Sequence, residues 1–152
     1  MRLALFQPDI PQNVGAAIRV AACFGASIDI IGPCGFAGGE REMRRVAMDY
    51  APADPVVLHA SWSAFLNSLL SDGARSARLV LMTTRGDGDL WSVAFAPDDV
   101  IILGRESAGV PDDVRAAANL RLRIPLAKGA RSLNVATAGA VALAEARRQL
   151  GY

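Results

Sequence analysis

Lysine, histidine and cysteine are nearly missing from this chain, and each shortage excludes a kind of chemistry. Lys128 is the one lysine against fifteen arginines, His59 the one histidine, and Cys23 and Cys34 the two cysteines. Two cysteines build no disulfide framework, and with a single histidine they supply no zinc-ligand set. No Ser-His-Asp or Cys-His set can be assembled around His59 alone. No run approaches the ~20 apolar residues of a membrane span. No G-x-G-x-x-G follows the first strand, and no G-x-x-x-x-G-K-[ST] occurs, so neither a dinucleotide-binding Rossmann fold nor a P-loop is supported. Metal catalysis has no ligand cluster to work with. A formal net charge of +1 excludes a uniformly basic surface but leaves room for local basic patches.

What remains belongs to a compact protein. The 152 residues are 52% hydrophobic and 20% charged, which fits one domain over 1–152 with a sizeable core. Arginine forks phosphate better than lysine does, although a general bias toward Arg and Ala accounts for most of the arginines equally well. The opening "MRLALFQPDIPQN" has too short an apolar run for a secretion signal and no cleavage pattern after it. The expectation is a soluble cytoplasmic protein with both cysteines reduced.

Short apolar runs alternate with helical patterns. Strands are predicted at 2–6, 27–32, 55–59, 78–84, 99–104 and 120–126, and helices at 13–24, 40–47, 61–70, 111–118 and 132–150. Gly25 is a good stop for the first helix, and Ser61 a good N-cap for the third. Nearly all-apolar strands separated by helices mean an α/β fold with a mostly parallel sheet covered on both faces. Ligands bind such sheets at the carboxyl ends of the strands. The loops to inspect are therefore "QPDIPQNVG", "GPCGFAGGE", "TTRGDGD", "GRESAGVP" and "PLAKGARSLN", and their Gly-rich members put the site toward the C-terminal half.

Four features of these loops and helices bear on chemistry. Arg19 is the one charge on the otherwise small and apolar helix 13–24; it either faces solvent or a structural carboxylate, or anchors a phosphate or ligand. Asn13 reads most simply as a helix cap. Glu106 lies between glycines in "LGRESAGVP", where backbone can approach a ligand closely, yet an ordinary exposed acid has the same spacing. The last helix stays apolar almost all round for about three turns, as a helix buried on several sides does, with Arg131, Ser132 and Asn134 at its mouth.

Taken in order, these pieces resemble the SPOUT-class RNA 2′-O-methyltransferases. Asn13, Gly15 and Arg19 match the first motif; Gly104, Glu106, Gly109, Val110 and Pro111 the second; Ile124 and Pro125, then Arg131, Ser132, Leu133 and Asn134, the third. "IIGPCGF", "RRVAMDY" and the closing "EARRQLGY" extend the likeness over essentially the whole chain, toward members that act on the wobble nucleotide of tRNA. Ala136-Thr137 and Arg105 depart from the pattern, at the packing and rim of the site.

The resemblance implies a single SPOUT domain with a C-terminal trefoil knot, S-adenosylmethionine as methyl donor, no metal, a tRNA substrate and a homodimer through the first and last helices. It implies cofactor contacts at Met82, Thr83, Gly104, Ile124, Leu126, Ser132 and Leu133. Catalysis falls to Arg19, with Glu106 and Asn134 orienting it and the ribose, and RNA contacts to Asn13, Arg41, Arg44, Arg45 and Arg131. Arginine stays protonated in proteins, which favours Arg19 as a phosphate anchor over a general base. Three alternatives stand beside this reading: a related enzyme acting on another RNA, a non-catalytic RNA- or nucleotide-binding dimer, and a small-molecule binding domain without RNA.

Overall fold

The computed structural model describes residues 1–36, 56–71 and 77–151. Seven strands form one sheet: β1 (Arg2–Phe6), β2 (Ser27–Ile31), β3 (Val56–His59), β4 (Leu79–Met82), β5 (Gly88–Asp89), β6 (Val100–Leu103) and β7 (Leu120–Arg123). Their order is β3-β2-β1-β6-β4-β7-β5, and every strand pair is parallel. Four helices cover it: α1 (Pro11–Cys23), α2 (Trp62–Ser71), α3 (Asp112–Ala117) and α4 (Val135–Leu150). The α/β reading with its parallel sheet is met. The helix expected at 40–47 lies outside the described residues.

The apolar strand sequences make sense because both faces are buried. Side chains alternate across a strand, so each run feeds two cores. Leu3, Leu5, Ile28, Ile30, Val80, Ile101 and Leu103 face α1 and α4. Ala4, Phe6, Ile31, Leu79, Leu81, Val100 and Ile102 face α2 and α3. Shifting any strand's register by one residue would exchange its two sets of side chains between these cores.

Helices α1 and α4 are rich in small residues because they lie close to the sheet and to each other. Val14, Gly15, Ala17, Ile18 and Ala21 form the buried stripe of α1. At Gly139 a Cβ would stand 2.9 Å from Leu103 Cδ1, so α4 approaches β6 more closely than alanine allows. Gly25, at φ +64°, ends α1 in the left-handed conformation, and the Ala26 amide reaches back to the Ala21 carbonyl at 2.9 Å, the pattern of a glycine-stopped helix. Arg147 Nη1 donates to the Phe24 carbonyl at 2.8 Å, tying the end of α1 to α4. Ser61 caps α2, its hydroxyl accepting from the Ala64 amide at 3.2 Å. No helix among the described residues is long and apolar enough to cross a membrane.

Two clusters built on buried carboxylates tie the sheet together. Arg2 grips the fully buried Asp29 through Nε and Nη2, at 2.9 and 2.7 Å, and His59 Nε2 meets the same carboxylate at 2.7 Å. Arg78 grips Asp99 in the same two-pronged way, at 2.8 and 2.7 Å. A buried carboxylate needs such partners, since an unpaired one costs several kcal/mol.

Candidate active site

Strands β4, β6 and β7 are neighbours or near neighbours in the sheet, and the loops leaving their carboxyl ends enclose a cavity of about 590 Å³. Met82, Thr83, Gly104, Ile124, Leu126, Ser132 and Leu133 all line it, as do Asn13, Glu106, Arg131 and Asn134. Residues from four separate stretches of sequence thus converge on one hollow. Arg19 does not line the cavity; it lies exposed on α1. Arg41, Arg44 and Arg45 lie outside the described residues.

The loop after β6 is closed on itself. Arg105 and Gly109 exchange both backbone hydrogen bonds, each at 2.9 Å. Gly109 sits at φ +70°, and a Cβ on Gly104 would meet the Gly109 backbone at 2.7 Å, so both positions require glycine. Glu106 projects from this loop with both carboxylate oxygens engaged: Oε2 accepts from the Asp9 amide at 2.8 Å and Oε1 from Asn13 Nδ2 at 2.9 Å. Asn13 Oδ1 in turn accepts from Asn134 Nδ2 at 2.8 Å. Asn134 Oδ1 then caps α4, accepting from the Ala136 and Thr137 amides at 2.9 and 3.3 Å. One relay, Glu106 to Asn13 to Asn134 to the start of α4, crosses the site.

This geometry corrects one expectation. Asn13 does not cap α1, whose N-cap position is Ile10, followed by Pro11 and without a side-chain cap; the missing N–H of proline at the first helical position needs none. Within the chain, Glu106 and Asn134 both bond Asn13.

Sequence reasoning missed the cluster behind the relay. Asp9 Oδ2 accepts from the Ser107 amide at 3.0 Å and its hydroxyl at 2.5 Å, while Oδ1 accepts from Arg105 Nη2 at 3.2 Å. These bonds, the Ser107 hydroxyl first, hold the Asp9 carboxyl below the usual carboxylate range. Arg105, noted only as a departure from the family pattern, also reaches Gln7 Oε1 at 3.4 Å. Gln7 itself is the one described non-glycine residue at positive φ, 44°. Burial pushes the pKa of the Cys34 thiol up.

The hollow fits a compact, partly apolar ligand. Its volume is within the usual range for small-molecule sites. Three of the few large apolar side chains left exposed, Ile10, Leu126 and Leu133, all stand on its wall. Exposed apolar groups gathered in a concavity mark a binding site more than a surface accident. Glu106, Arg131 and Asn134 add polar groups at the same wall. Among the described residues, no three His, Cys, Asp or Glu side chains are grouped as metal ligands.

Known proteins resemble this chain over nearly its whole length. Residues 1–144 match the SpoU rRNA Methylase family. A tRNA (cytidine(34)-2′-O)-methyltransferase of Ancylobacter novellus is 48% identical over 151 residues, 99% of this chain and 94% of that protein. The Escherichia coli K12 protein of the same name is 34% identical, covering 100% of this chain and 95% of that one. A solved structure described as giving insight into the 2-OH methylation of C/U34 on tRNA superposes with a TM-score of 0.86 at 39% identity, over 99% of this chain and 95% of that chain. The SpoU methyltransferase AviRb from Streptomyces viridochromogenes, solved with the cofactor AdoMet, superposes at 0.83 and 26% identity, over 99% of this chain and 60% of that one. With its sheet, its cavity and its three ordered motifs, the chain belongs to the SpoU rRNA Methylase family.

Proposed function

We propose that this chain is an S-adenosylmethionine-dependent tRNA 2′-O-methyltransferase acting on the ribose of the wobble nucleotide, position 34, in the cytoplasm and as a homodimer. The observation that carries the reading is the meeting of Asn13, Glu106 and Asn134 in one hydrogen-bonded relay, on the wall of a cavity shaped for a small ligand. Relatives spanning nearly the whole chain and named for this reaction support the substrate.

S-adenosylmethionine, when bound, supplies an electrophilic methyl group on a sulfonium that is already a good leaving group. The chain's own task is therefore to position an acceptor hydroxyl so that its proton can pass to solvent as its oxygen takes the methyl group. Met82, Thr83, Gly104, Ile124, Leu126, Ser132 and Leu133, all on the cavity wall, would hold the cofactor. Glu106, its oxygens already engaged by Asp9 and Asn13, acts as a fixed negative charge that holds donors in place. Asn134 fixes the start of α4 and, through Asn13, the acceptor side of the site. Arg41, Arg44, Arg45 and Arg131 supply the cations for RNA phosphates.

Arg19 supplies the anchoring cation across the dimer. It is exposed on α1, away from its own chain's cavity, and α1 and α4 together present small, partly exposed residues such as Ala16, Ala22, Ala140 and Ala144. A twofold contact through these helices carries Arg19 of one protomer to the cavity of the other. The C-terminal segment threads an earlier loop in the trefoil knot of the family.

Subunit mixing tests the composite site. Arg19→Ala protein should fold, dimerise and bind S-adenosylmethionine but not transfer methyl groups. Refolded together with a Ser132→Ala/Asn134→Ala chain, it should recover part of the activity, because one site per heterodimer is then intact. No recovery in confirmed heterodimers would sink the shared site. Mapping 2′-O-methylated nucleotides in RNA from a deletion strain decides the substrate: loss at tRNA position 34 is expected, and loss in ribosomal RNA instead would move the reading to another RNA.

A further inference from the structure

We propose that Asp9 is the positioning residue for Glu106, clasping together the loops that follow β1, β2 and β6. The proposal deepens the reading of this site as a methyltransferase centre and rests on it for the reaction affected. Asp9 does not line the cavity, so it has to act through its neighbours. Its two oxygens receive the Ser107 amide and hydroxyl on one side and Arg105 on the other, from Nη2 at 3.2 Å and Nε at 3.4 Å. Its own amide donates to Glu106 Oε2 at 2.8 Å. The residues on either side of Glu106 are thus held by the carboxylate and Glu106 itself by the backbone of the same residue, across 96 to 98 positions of sequence.

The third loop enters from β2. The Gly35 amide donates to the Pro8 carbonyl at 2.9 Å, and a Cβ on Gly35 would stand 2.4 Å from Asp9 Oδ1. The chain leaving β2 therefore lies against the face of the clasping carboxylate, and any side chain at position 35 must push that oxygen away. A carboxylate is required for a further reason. All the groups aimed at Asp9 are donors, and an ionised carboxyl offers acceptors on both oxygens, whereas an asparagine turns an NH₂ toward one set of them. Asp9→Asn should thus keep half of the carboxylate's bonds and Asp9→Ala none, while the bond from the residue-9 amide to Glu106 remains in both.

Amide exchange reads the clasp and methyl transfer reads its consequence, in the full-length protein. In Asp9→Ala the Ser107 amide should exchange about tenfold faster than in the parent, the loss of one modest hydrogen bond. The kcat for methyl transfer to tRNA should fall by about tenfold to a hundredfold, as when charged hydrogen-bond partners are removed. KM for tRNA and Kd for S-adenosylhomocysteine should stay within about twofold, because Asp9 touches neither ligand in this reading. Asp9→Asn should fall between parent and Asp9→Ala in both measurements. Gly35→Ala should change both in the same direction, and adding it to Asp9→Ala should change nothing more, since the oxygen it strikes is gone.

Unchanged Ser107 exchange in Asp9→Ala would overturn the clasp. Faster exchange with unchanged kcat, or a kcat loss matched by equal losses in both affinities, would overturn the positioning role. Additive effects of the two substitutions would show that Gly35 acts elsewhere. A parent protein that transfers no methyl group to tRNA would instead overturn the reading of the reaction, and the exchange measurement would still decide the clasp.

Discussion

Arginine–aspartate pairs stand at both ends of the sheet, and the two ends use them differently. Arg2 and Arg78, at or just before strand starts, each fork onto a carboxylate with 0% side-chain exposure, with bonds of 2.7 to 2.9 Å. Arg105, just past the end of β6, meets Asp9 at 3.2 and 3.4 Å, and that carboxylate is 18% exposed. A buried forked pair is costly to break and so fixes strand against strand. The looser pair at the cavity holds a loop while leaving it wet. The same two residue types serve rigidity at one end and placement at the other, and burial decides which.

The largest expected effect lies at the buried end. Arg2→Met leaves Asp29 with His59 alone and should destabilise the protein by roughly 3–5 kcal/mol, read by urea unfolding, while S-adenosylmethionine affinity of the folded protein stays the same. A loss below about 1 kcal/mol, the level of an exposed pair, would erase the contrast. At the cavity end the order reverses. Asn134→Ala removes the α4 cap and should cost only about 1 kcal/mol of stability. Methyl transfer should fall by more than that stability loss explains, because Asn13 and through it Glu106 lose their partner. Equal losses in the two assays would make Asn134 a cap and nothing more.

The smallest effect is expected from pH at the far end of α4. Hydrogen bonds, first from Arg148 and then from Gln149, lower the Glu145 carboxyl from 4.5 to about 2. A depressed carboxyl stabilises the fold above its unfolded-state pKa and loses that contribution as pH falls through its folded value. The loss should therefore run from about 4.5 down to about 2, and Glu145→Gln should flatten urea stability across the accessible upper part of that window. It should be slight, since the Arg148 side chain is 71% exposed and water screens the pair. An unaltered pH profile would remove Glu145 from the account.

Much of the fold was legible because parallel strands buried on both faces write themselves as apolar runs. Strand β1 was read to its limits, and the runs at 27–32, 78–84, 99–104 and 120–126 are longer than the strands they predict. The runs 78–84 and 120–126 continue past Met82 and Arg123 into residues that wall the cavity, and apolarity does not say where pairing stops. Strand β5, two residues long, has no period to detect. The last helix was started at 132, yet it begins at Val135 because Asn134 is its cap.

The site was legible only as motifs. An asparagine near a helix start looks the same whether it caps or bridges, and the bridge made by Asn13 joins residues 93 and 121 positions away. Asp9 lay in a loop already marked for inspection, but its partners at 105 and 107 are brought to it by the pairing of β1 with β6, which local sequence does not record.

The packing of α1 on α4 sets an order of events on the ribosome. Arg147 closes on Phe24 across 123 residues, and the core that takes residues from α1 also takes Ala136, Ala142, Leu143 and Ala146. As the nascent chain emerges, α1 and one face of β1, β2 and β6 must wait for α4 with their apolar surface open to water. Contacts of such high sequence separation slow folding, and a waiting apolar face is a surface for chaperones to bind. The α4 side of the sheet is therefore covered last, and a ribosome stalled before codon 135 would hold a chain whose core still lacks Ala136, Ala142, Leu143 and Ala146.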